Sequence, residues 1–333
     1  MKTTVVCISP LEKNIENYLK RGCSDESIEF IQANDRDDLF FHASRADVLI
    51  GWSSDRELLE KSVKFKLFIN PSTGVNQHIQ NFRDLNQKRS VVLVNSHGHA
   101  YSVAQHGVSL LLALSNSVIP HHQKMVTRKT EKPIQNNTLL KDKTVGFLGY
   151  GSINRNIHNM LRGFDLKFTA CKRTWTTEDT SPPTSLKCYK ADQINRLFEK
   201  SDIVINALPH TRDTHHSVGN EQFKILGKNA FFINLGRGAT VVEEDLYNAL
   251  NEGVISGAAL DVWWPPAKEK RIQGVFQPYT YPFHELDNIV MSPHRAADNT
   301  DALDRWDDVI ENILCLHEGR SDFKNIVDLE LEY

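Results

Sequence analysis

The residues best suited to chemistry lie after position 144. An apolar run, Thr144-Val145-Gly146-Phe147-Leu148, leads into Gly149-Tyr150-Gly151-Ser152-Ile153-Asn154. Ile153, Ile157, Met160, Leu161 and Phe164 then recur at helical spacing. A strand, a GxG turn and an amphipathic helix in this order make a phosphate cradle. Gly149 permits the tight turn, and Gly151 lets the backbone approach a pyrophosphate. The helix start, at Ser152 and Ile153, meets the negative charge. The sequence therefore predicts dinucleotide binding. Asn154 stands where a third glycine would allow close helix–strand packing, so the helix is expected to sit slightly further out.

The next apolar run ends Ala170-Cys171-Lys172-Arg173-Thr174. Lys172 lies 23 residues after Gly149, about where an acidic residue would hold the ribose of NAD. A basic pair there attracts a 2′-phosphate, which favours NADP(H) over NAD(H). The competing reading is a solvated strand end. Three later segments each set a polar residue just past an apolar run. They are 232–238 with Arg237, 257–263 with Asp261, and 288–295 with His294. In open α/β sheets, ligands bind at such carboxyl ends. Arg237 also sits between two glycines, which suits a tight backbone at a ligand rather than a surface ion pair.

These groups need a scaffold. Short apolar runs at 5–8, 28–31, 47–50, 66–69 and 91–94 alternate with polar, helix-compatible stretches. They read as buried parallel strands with helices on the sheet faces. Val103, Gly107, Leu110, Leu111 and Leu114 predict a long helix that ends at Pro120. Residues 120–142 are polar and basic and look like a crossing or an exposed arm. A second series of strands is expected at 144–148, 166–170, 203–208, 230–235, 257–260 and 289–291. A closing helix over about 304–317 would be capped by Gly319.

The chain has 333 residues, enough for two domains. Lys+Arg is 39 and Asp+Glu 42, a net charge of −3, which gives no global electrostatic reason to bind nucleic acid or an anionic membrane. No run approaches the roughly 20 apolar residues of a membrane span. The first residues are too short and polar for a signal peptide. Five scattered cysteines without a CxxC read as free thiols in a reducing, cytoplasmic setting. The adjacent pairs His121-His122 and His215-His216 lack zinc-ligand spacing, so no metal is expected.

Over nearly its whole length the chain resembles the D-2-hydroxyacid dehydrogenase family. The likeness rests on GYGSIN, on NLGRG with Arg237, on GAALDV with Asp261 and on SPH with His294. Arg237 precedes Asp261 by 24 residues and His294 by 57, near the family spacing. Val103-Ala104-Gln105-His106 looks like the helix that opens the family's cofactor domain. Pro71-Ser72-Thr73-Gly74-Val75 looks like its substrate-carboxylate loop. The resemblance implies an α/β fold with two Rossmann-like parallel-sheet domains. A flavodoxin-like substrate domain would comprise 1–100 and 297–333, and an inserted dinucleotide-binding domain 101–296. It also implies cofactor contacts at Leu208, Pro209, Thr214, Leu235, Gly236, Arg237, Asp261 and His294, and a homodimer.

The chemistry fits. Reduction of a 2-keto acid develops negative charge on the carbonyl oxygen. The planar fork of Arg237 can hold that oxygen and the carboxylate. His294 can donate the proton. Backbone N–H groups of Ser72, Thr73 and Gly74 can hold the carboxylate as a nest. His99 and Tyr101 follow the run at 91–94 and are candidate substrate contacts. His99 falls where formate dehydrogenases have a substrate-binding asparagine.

The family pattern breaks at Pro266. Ordinary members place there, five residues after the aspartate, the glutamate that partners the catalytic histidine. Glu269 or Glu285 could take over, or His294 could work without a carboxylate, as in the formate dehydrogenase branch. In that last case reduction fades as pH rises through the unassisted imidazole range. Trp263, Trp264, Tyr279, Tyr281 and Phe283 form either a structural clamp or a cap over an apolar substrate side chain. The leading expectation is an NADP(H)-preferring 2-keto acid reductase. The rivals are a formate-type oxidation and a non-catalytic NAD(P)H sensor on the same fold.

Overall fold

The computed structural model describes residues 2–127, 137–175, 182, 184–264, 271–272, 275–276, 278–298 and 303–333. The chain divides into two compact units, Met1–His99 with Thr300–Tyr333, and Ala100–Asn299.

The first unit alternates β1 (Thr3–Cys7), α1 (Lys13–Gly22), β2 (Ile28–Gln32), α2 (Arg36–Ala43), β3 (Val48–Ile50), α3 (Arg56–Lys61), β4 (Leu67–Asn70), α4 (Asn76–Asn86) and β5 (Val92–Asn95). All five strands are parallel, in the order β2-β1-β3-β4-β5. This is the flavodoxin-like order. The strands are apolar runs because both faces are covered. Val6, Leu49 and Phe68 point to one core with Leu58, Ile79 and Phe82. Val5, Val48, Ile50 and Ile69 point to another with Leu19, Trp306, Val309 and Ile313. Asp35 and Asp55 cap α2 and α3 through their side chains.

The second unit holds α5 (Ala100–Ser115), α6 (Val118–Val126), β6 (Thr144–Leu148), α7 (Ser152–Leu161), β7 (Lys167–Lys172), β8 (Leu186–Lys190), α8 (Ile194–Glu199), β9 (Ile203–Asn206), α9 (Asn220–Leu226), β10 (Phe231–Asn234), α10 (Glu243–Asn251) and β11 (Gly257–Leu260). A two-residue hairpin, β12 (Arg271–Ile272) and β13 (Val275–Phe276), precedes β14 (Ile289–Met291). Seven parallel strands run in the order β14-β11-β10-β9-β6-β7-β8. Counted from β6, this contains the 3-2-1-4-5-6 order of a dinucleotide-binding sheet, and it reverses between β6 and β9. Alternate strand residues bury against α5 and α7 on one face and α8, α9 and α10 on the other. Each fully buried Leu or Phe contributes about 1.5–3 kcal/mol over leaving it exposed.

The chain ends in α11 (Asp307–His317), which closes the first unit. Gly319 follows it at φ +70°, with Arg320 N–H on the Cys315 carbonyl and Gly319 N–H on the Leu316 carbonyl. That is a Schellman ending.

Two expectations need correction. Pro120 does not end a helix. α5 stops at Ser115, the chain bends by 67°, and Pro120 sits in the first turn of α6. A first-turn N–H has no helical acceptor, so a proline is tolerated there. Residues 120–126 are therefore helical, and 128–136 lie outside the described residues. The apolar pattern does not announce β8, an edge strand whose Lys187, Cys188 and Lys190 are exposed. No single helix among the described residues is long and apolar enough to cross a membrane.

Candidate active site

The glycine turn sits where β6 gives way to α7, at the reversal point of the sheet. Gly149 has φ +80°, and a Cβ there would lie 3.3 Å from the Ala207 carbonyl oxygen. Only glycine adopts this conformation at no steric cost. Gly151 leads into the helix at Ser152 and Ile153, and a Cβ on it would meet nothing within 4 Å. The space over the helix start is therefore open, and its first N–H groups lack helical acceptors. These residues fit a nucleotide pyrophosphate.

Asn154 is fully buried. Its amide donates to the carbonyls of Leu148, Gly149 and Ile205, at 3.4, 2.5 and 3.2 Å. The side chain ties α7 to the strand ends. Tyr150 is also buried, and its hydroxyl pairs with His158 Nδ1 at 2.7 Å. His158 Nε2 pairs with Thr184 Oγ1 at 2.7 Å, and burial takes this imidazole down to about 4. Lys172 is half-buried at the end of β7, and Arg173 and Thr174 are exposed after it.

Strands β9 and β10 end together in Asn206 and Asn234, which are register partners. Both are fully buried. The Asn206 amide donates to Asn234 Oδ1 at 3.1 Å and to Thr240 Oγ1 at 2.8 Å. Asn234 Oδ1 accepts the Gly236 N–H, and the Asn234 amide donates to the Arg237 carbonyl. Thr240 Oγ1 donates to that same carbonyl at 2.7 Å. This network fixes the turn carrying Arg237. Leu208 and Gly236 are brought together at these strand ends. A Cβ on Gly236 would lie 2.5 Å from the Leu208 carbonyl oxygen, so only glycine fits. The Thr214 hydroxyl donates to the Pro209 carbonyl at 2.6 Å, folding 209–214 into a compact loop. Leu235 is buried beside them.

Burial pushes the Arg237 guanidinium below its usual range. Its Nη1 donates to the Gly236 carbonyl at 2.7 Å. Among the described residues no carboxylate pairs with it. A half-buried cation with one neutral carbonyl as its partner is set up to receive an anion.

Asp261 is buried and does not face open space. Its Oδ1 accepts from the Ser292 hydroxyl at 2.6 Å and the Arg295 N–H at 2.9 Å, and Oδ2 from the Ala296 N–H at 3.1 Å. The Trp263 indole donates to the Ser292 carbonyl at 2.8 Å. Both hold the turn that presents His294. That residue has φ +55°, a left-handed conformation that costs roughly 1–2 kcal/mol outside glycine. Its ring is exposed, and no carboxylate among the described residues reaches it. Glu285 is exposed, with His284 as its neighbour at 4.0 Å. Glu269 and Pro266 lie outside the described residues. Trp264 donates to the Val241 carbonyl and stacks on Phe283, so this part of the aromatic cluster is structural.

In the first unit, Asn70 donates to the carbonyls of Ser72 and Gly74 at 2.8 and 2.7 Å. Asn95 donates to the Thr73 carbonyl at 2.8 Å. The 72–74 turn is thus braced from β4 and β5. His99 is buried, with Nε2 3.0 Å from Thr73 Oγ1, so the structure brings His99 to this turn. Tyr101 is exposed in the first turn of α5.

Sequence reasoning missed Asn206, Asn234 and Thr240. The available signal was one polar residue closing each of two apolar strands, IVIN and FFIN. Their pairing became visible only with the strand register.

The comparisons with known proteins agree with this geometry. Residues 108–296 match the model of the D-isomer specific 2-hydroxyacid dehydrogenase NAD binding domain. A glyoxylate reductase of Thermofilum pendens is 30% identical over 275 residues, covering 80% of this chain and 76% of that protein. A D-3-phosphoglycerate dehydrogenase of Methanocaldococcus jannaschii is 26% identical over 272 residues. It covers 80% of this chain, which spans about half of that longer protein (49%). A solved 2-hydroxyacid dehydrogenase of Xanthobacter autotrophicus, in complex with NADPH and MES, shares the fold with a TM-score of 0.80 at 19% identity over all of both chains. The chain belongs to the D-isomer specific 2-hydroxyacid dehydrogenase family, NAD(P)-dependent oxidoreductases of 2-hydroxy and 2-keto acids.

Proposed function

We propose that this protein reduces a small 2-keto acid to the D-2-hydroxy acid, with NADPH preferred over NADH. The observation that carries this reading is Arg237, a half-buried guanidinium just past β10 without a carboxylate partner among the described residues. Its fork grips the substrate carboxylate and the carbonyl oxygen as charge develops there. His294 donates the proton to that oxygen. A bound nicotinamide supplies the hydride. Gly149, Gly151, Ser152 and Ile153 hold the pyrophosphate. Leu208, Pro209, Thr214, Leu235 and Gly236 line the nucleotide at the strand ends, and Asp261 holds the adjoining turn. Ser72, Thr73 and Gly74 offer backbone N–H groups to the carboxylate, and His99 and Tyr101 contact the rest of the substrate. In this reading residues 101–296 are the nucleotide domain, and 1–100 with 297–333 the substrate domain.

Lys172 and Arg173 support NADP(H), as does the NADPH in the Xanthobacter structure. The glyoxylate reductase relative makes glyoxylate the first substrate to try. Val118, Ile119, Met125 and Val126 on α6, with Leu139, expose apolar side chains, which supports a homodimer. Five free cysteines support a reducing, cytoplasmic compartment.

The test follows NADPH and NADH oxidation at 340 nm with glyoxylate, hydroxypyruvate, pyruvate and phenylpyruvate. Arg237→Ala is expected to lower kcat/KM by roughly a hundredfold or more. Arg237→Lys recovers little, because an ammonium lacks the fork. Turnover in the wild type that Arg237→Ala leaves intact overturns the assignment. Silence with every keto acid turns the question to formate oxidation, then to nucleotide sensing without turnover.

A further inference from the structure

Helix α5 carries a histidine to the end of the sheet where His294 is presented. His106 Nε2 lies 2.9 Å from Ser292 Oγ and 3.6 Å from Asp261 Oδ1. The direction of each bond follows by elimination. A carboxylate accepts, so the single hydroxyl proton of Ser292 goes to Asp261 Oδ1 at 2.6 Å. Ser292 then has only lone pairs left for the ring, and His106 Nε2–H is the donor. The chain of donors runs from His106 through Ser292 to Asp261.

Its far end is the turn under His294. The carboxylate oxygens of Asp261 take the N–H groups of Arg295 and Ala296, the two residues that follow His294. The N–H of His294 itself goes to the Ser292 carbonyl at 3.0 Å. A left-handed histidine keeps its conformation only when its surroundings over-determine it. Here the bonds that do so all meet at Ser292 and Asp261, and His106 is the outermost link.

We propose that His106 is a positioning residue for His294, acting through Ser292 and Asp261. The proposal rests on the reading of His294 as the acid. His106 touches no reacting atom. Its Nε2–H aims the Ser292 hydroxyl at Asp261 and leaves the carboxylate oriented toward the 295–296 backbone. Reach of the imidazole, more than its affinity for substrate, depends on that orientation.

The experiment compares His106→Leu, His106→Gln, Ser292→Ala and the double variant His106→Leu/Ser292→Ala. Readouts are kcat, the KM of the keto acid, NADPH affinity by fluorescence titration, and thermal midpoint. His106→Leu is expected to lower kcat about tenfold with KM and NADPH affinity nearly unchanged. His106→Gln keeps an N–H donor at similar reach and regains most of the loss. In the Ser292→Ala background the leucine change has no further effect, because the link is already broken. Equal impairment of the leucine and glutamine variants, or additive losses in the double variant, overturns the proposal. His294→Gln separates the two levels. If it keeps wild-type kcat, the acid assignment itself fails. If it abolishes turnover while His106→Leu matches the wild type, only the positioning role fails.

Discussion

Asn206 and Asn234 close two neighbouring parallel strands in register, and the amide of one donates to the amide oxygen of the other at 3.1 Å with both side chains fully buried. From this pair the bonding passes to Thr240 and to the backbone of Gly236 and Arg237. Buried amides this deep are stabilising only while every bond is made. Asn206→Leu leaves Asn234 and Thr240 partly unpaired and should destabilise the protein by about 2–3 kcal/mol. Urea unfolding of the second unit would measure it. The same variant should lose more kcat/KM than NADPH affinity, because the Arg237 turn is what loosens.

Gly236 presses against the Leu208 backbone, leaving 2.5 Å for a Cβ. Gly236→Ala forces the β9 and β10 ends apart. We expect at least a tenfold rise in NADPH dissociation constant, since on the proposed reading both segments line the nucleotide. Fluorescence titration with wild-type affinity would remove both segments from the nucleotide site.

Lys172 and Arg173 carry the cofactor prediction. Changing both to alanine should raise the KM for NADPH by roughly tenfold or more and leave that for NADH within about twofold. Equal effects on both cofactors would make the pair a strand-end feature with no role in selection.

Buried histidines set the acid limit. His78 and His158 are both fully buried, and burial takes each down to about 4. Unfolding restores an imidazole of about 6.5, so the unfolded chain binds more protons between those values. Their contribution to stability is complete above about pH 6.5 and is lost as pH falls toward 4. The thermal midpoint should drop by roughly 5–10 °C over that window. His158→Gln should flatten the profile, and an unchanged slope would assign the acid sensitivity to other groups.

Much of the fold was legible because parallel strands buried on both faces must be apolar. The runs at 5–8, 66–69, 144–148 and 257–260 announce themselves without any knowledge of neighbours. The places of the glycine turn and of Arg237, Asp261 and His294 just past their strands were legible for the same reason, since they follow such runs directly. What failed was anything that depends on register or context. β8 was hidden because, as an edge strand, it carries exposed lysines on both faces, and α6 by a proline that a first turn accepts. The three hydrogen bonds of Asn154 to the strand ends could not be read from the sequence. His106 and Ser292 lie 186 residues apart and could not be joined without coordinates.

The closing helix α11 has a consequence for synthesis. The first unit buries Val5, Val48 and Ile69 against Trp306, Val309 and Ile313, and Val94 bridges to Ile326. Residues 2–95 therefore emerge from the ribosome with one sheet face covered only by α1 and wait some two hundred residues for the rest of its cover. The second unit is contiguous and can fold meanwhile. A nascent chain halted near residue 300 should hold a protease-resistant second unit preceded by one sensitive flank. Loss of only the last thirty residues would strip the beginning of the protein rather than its end.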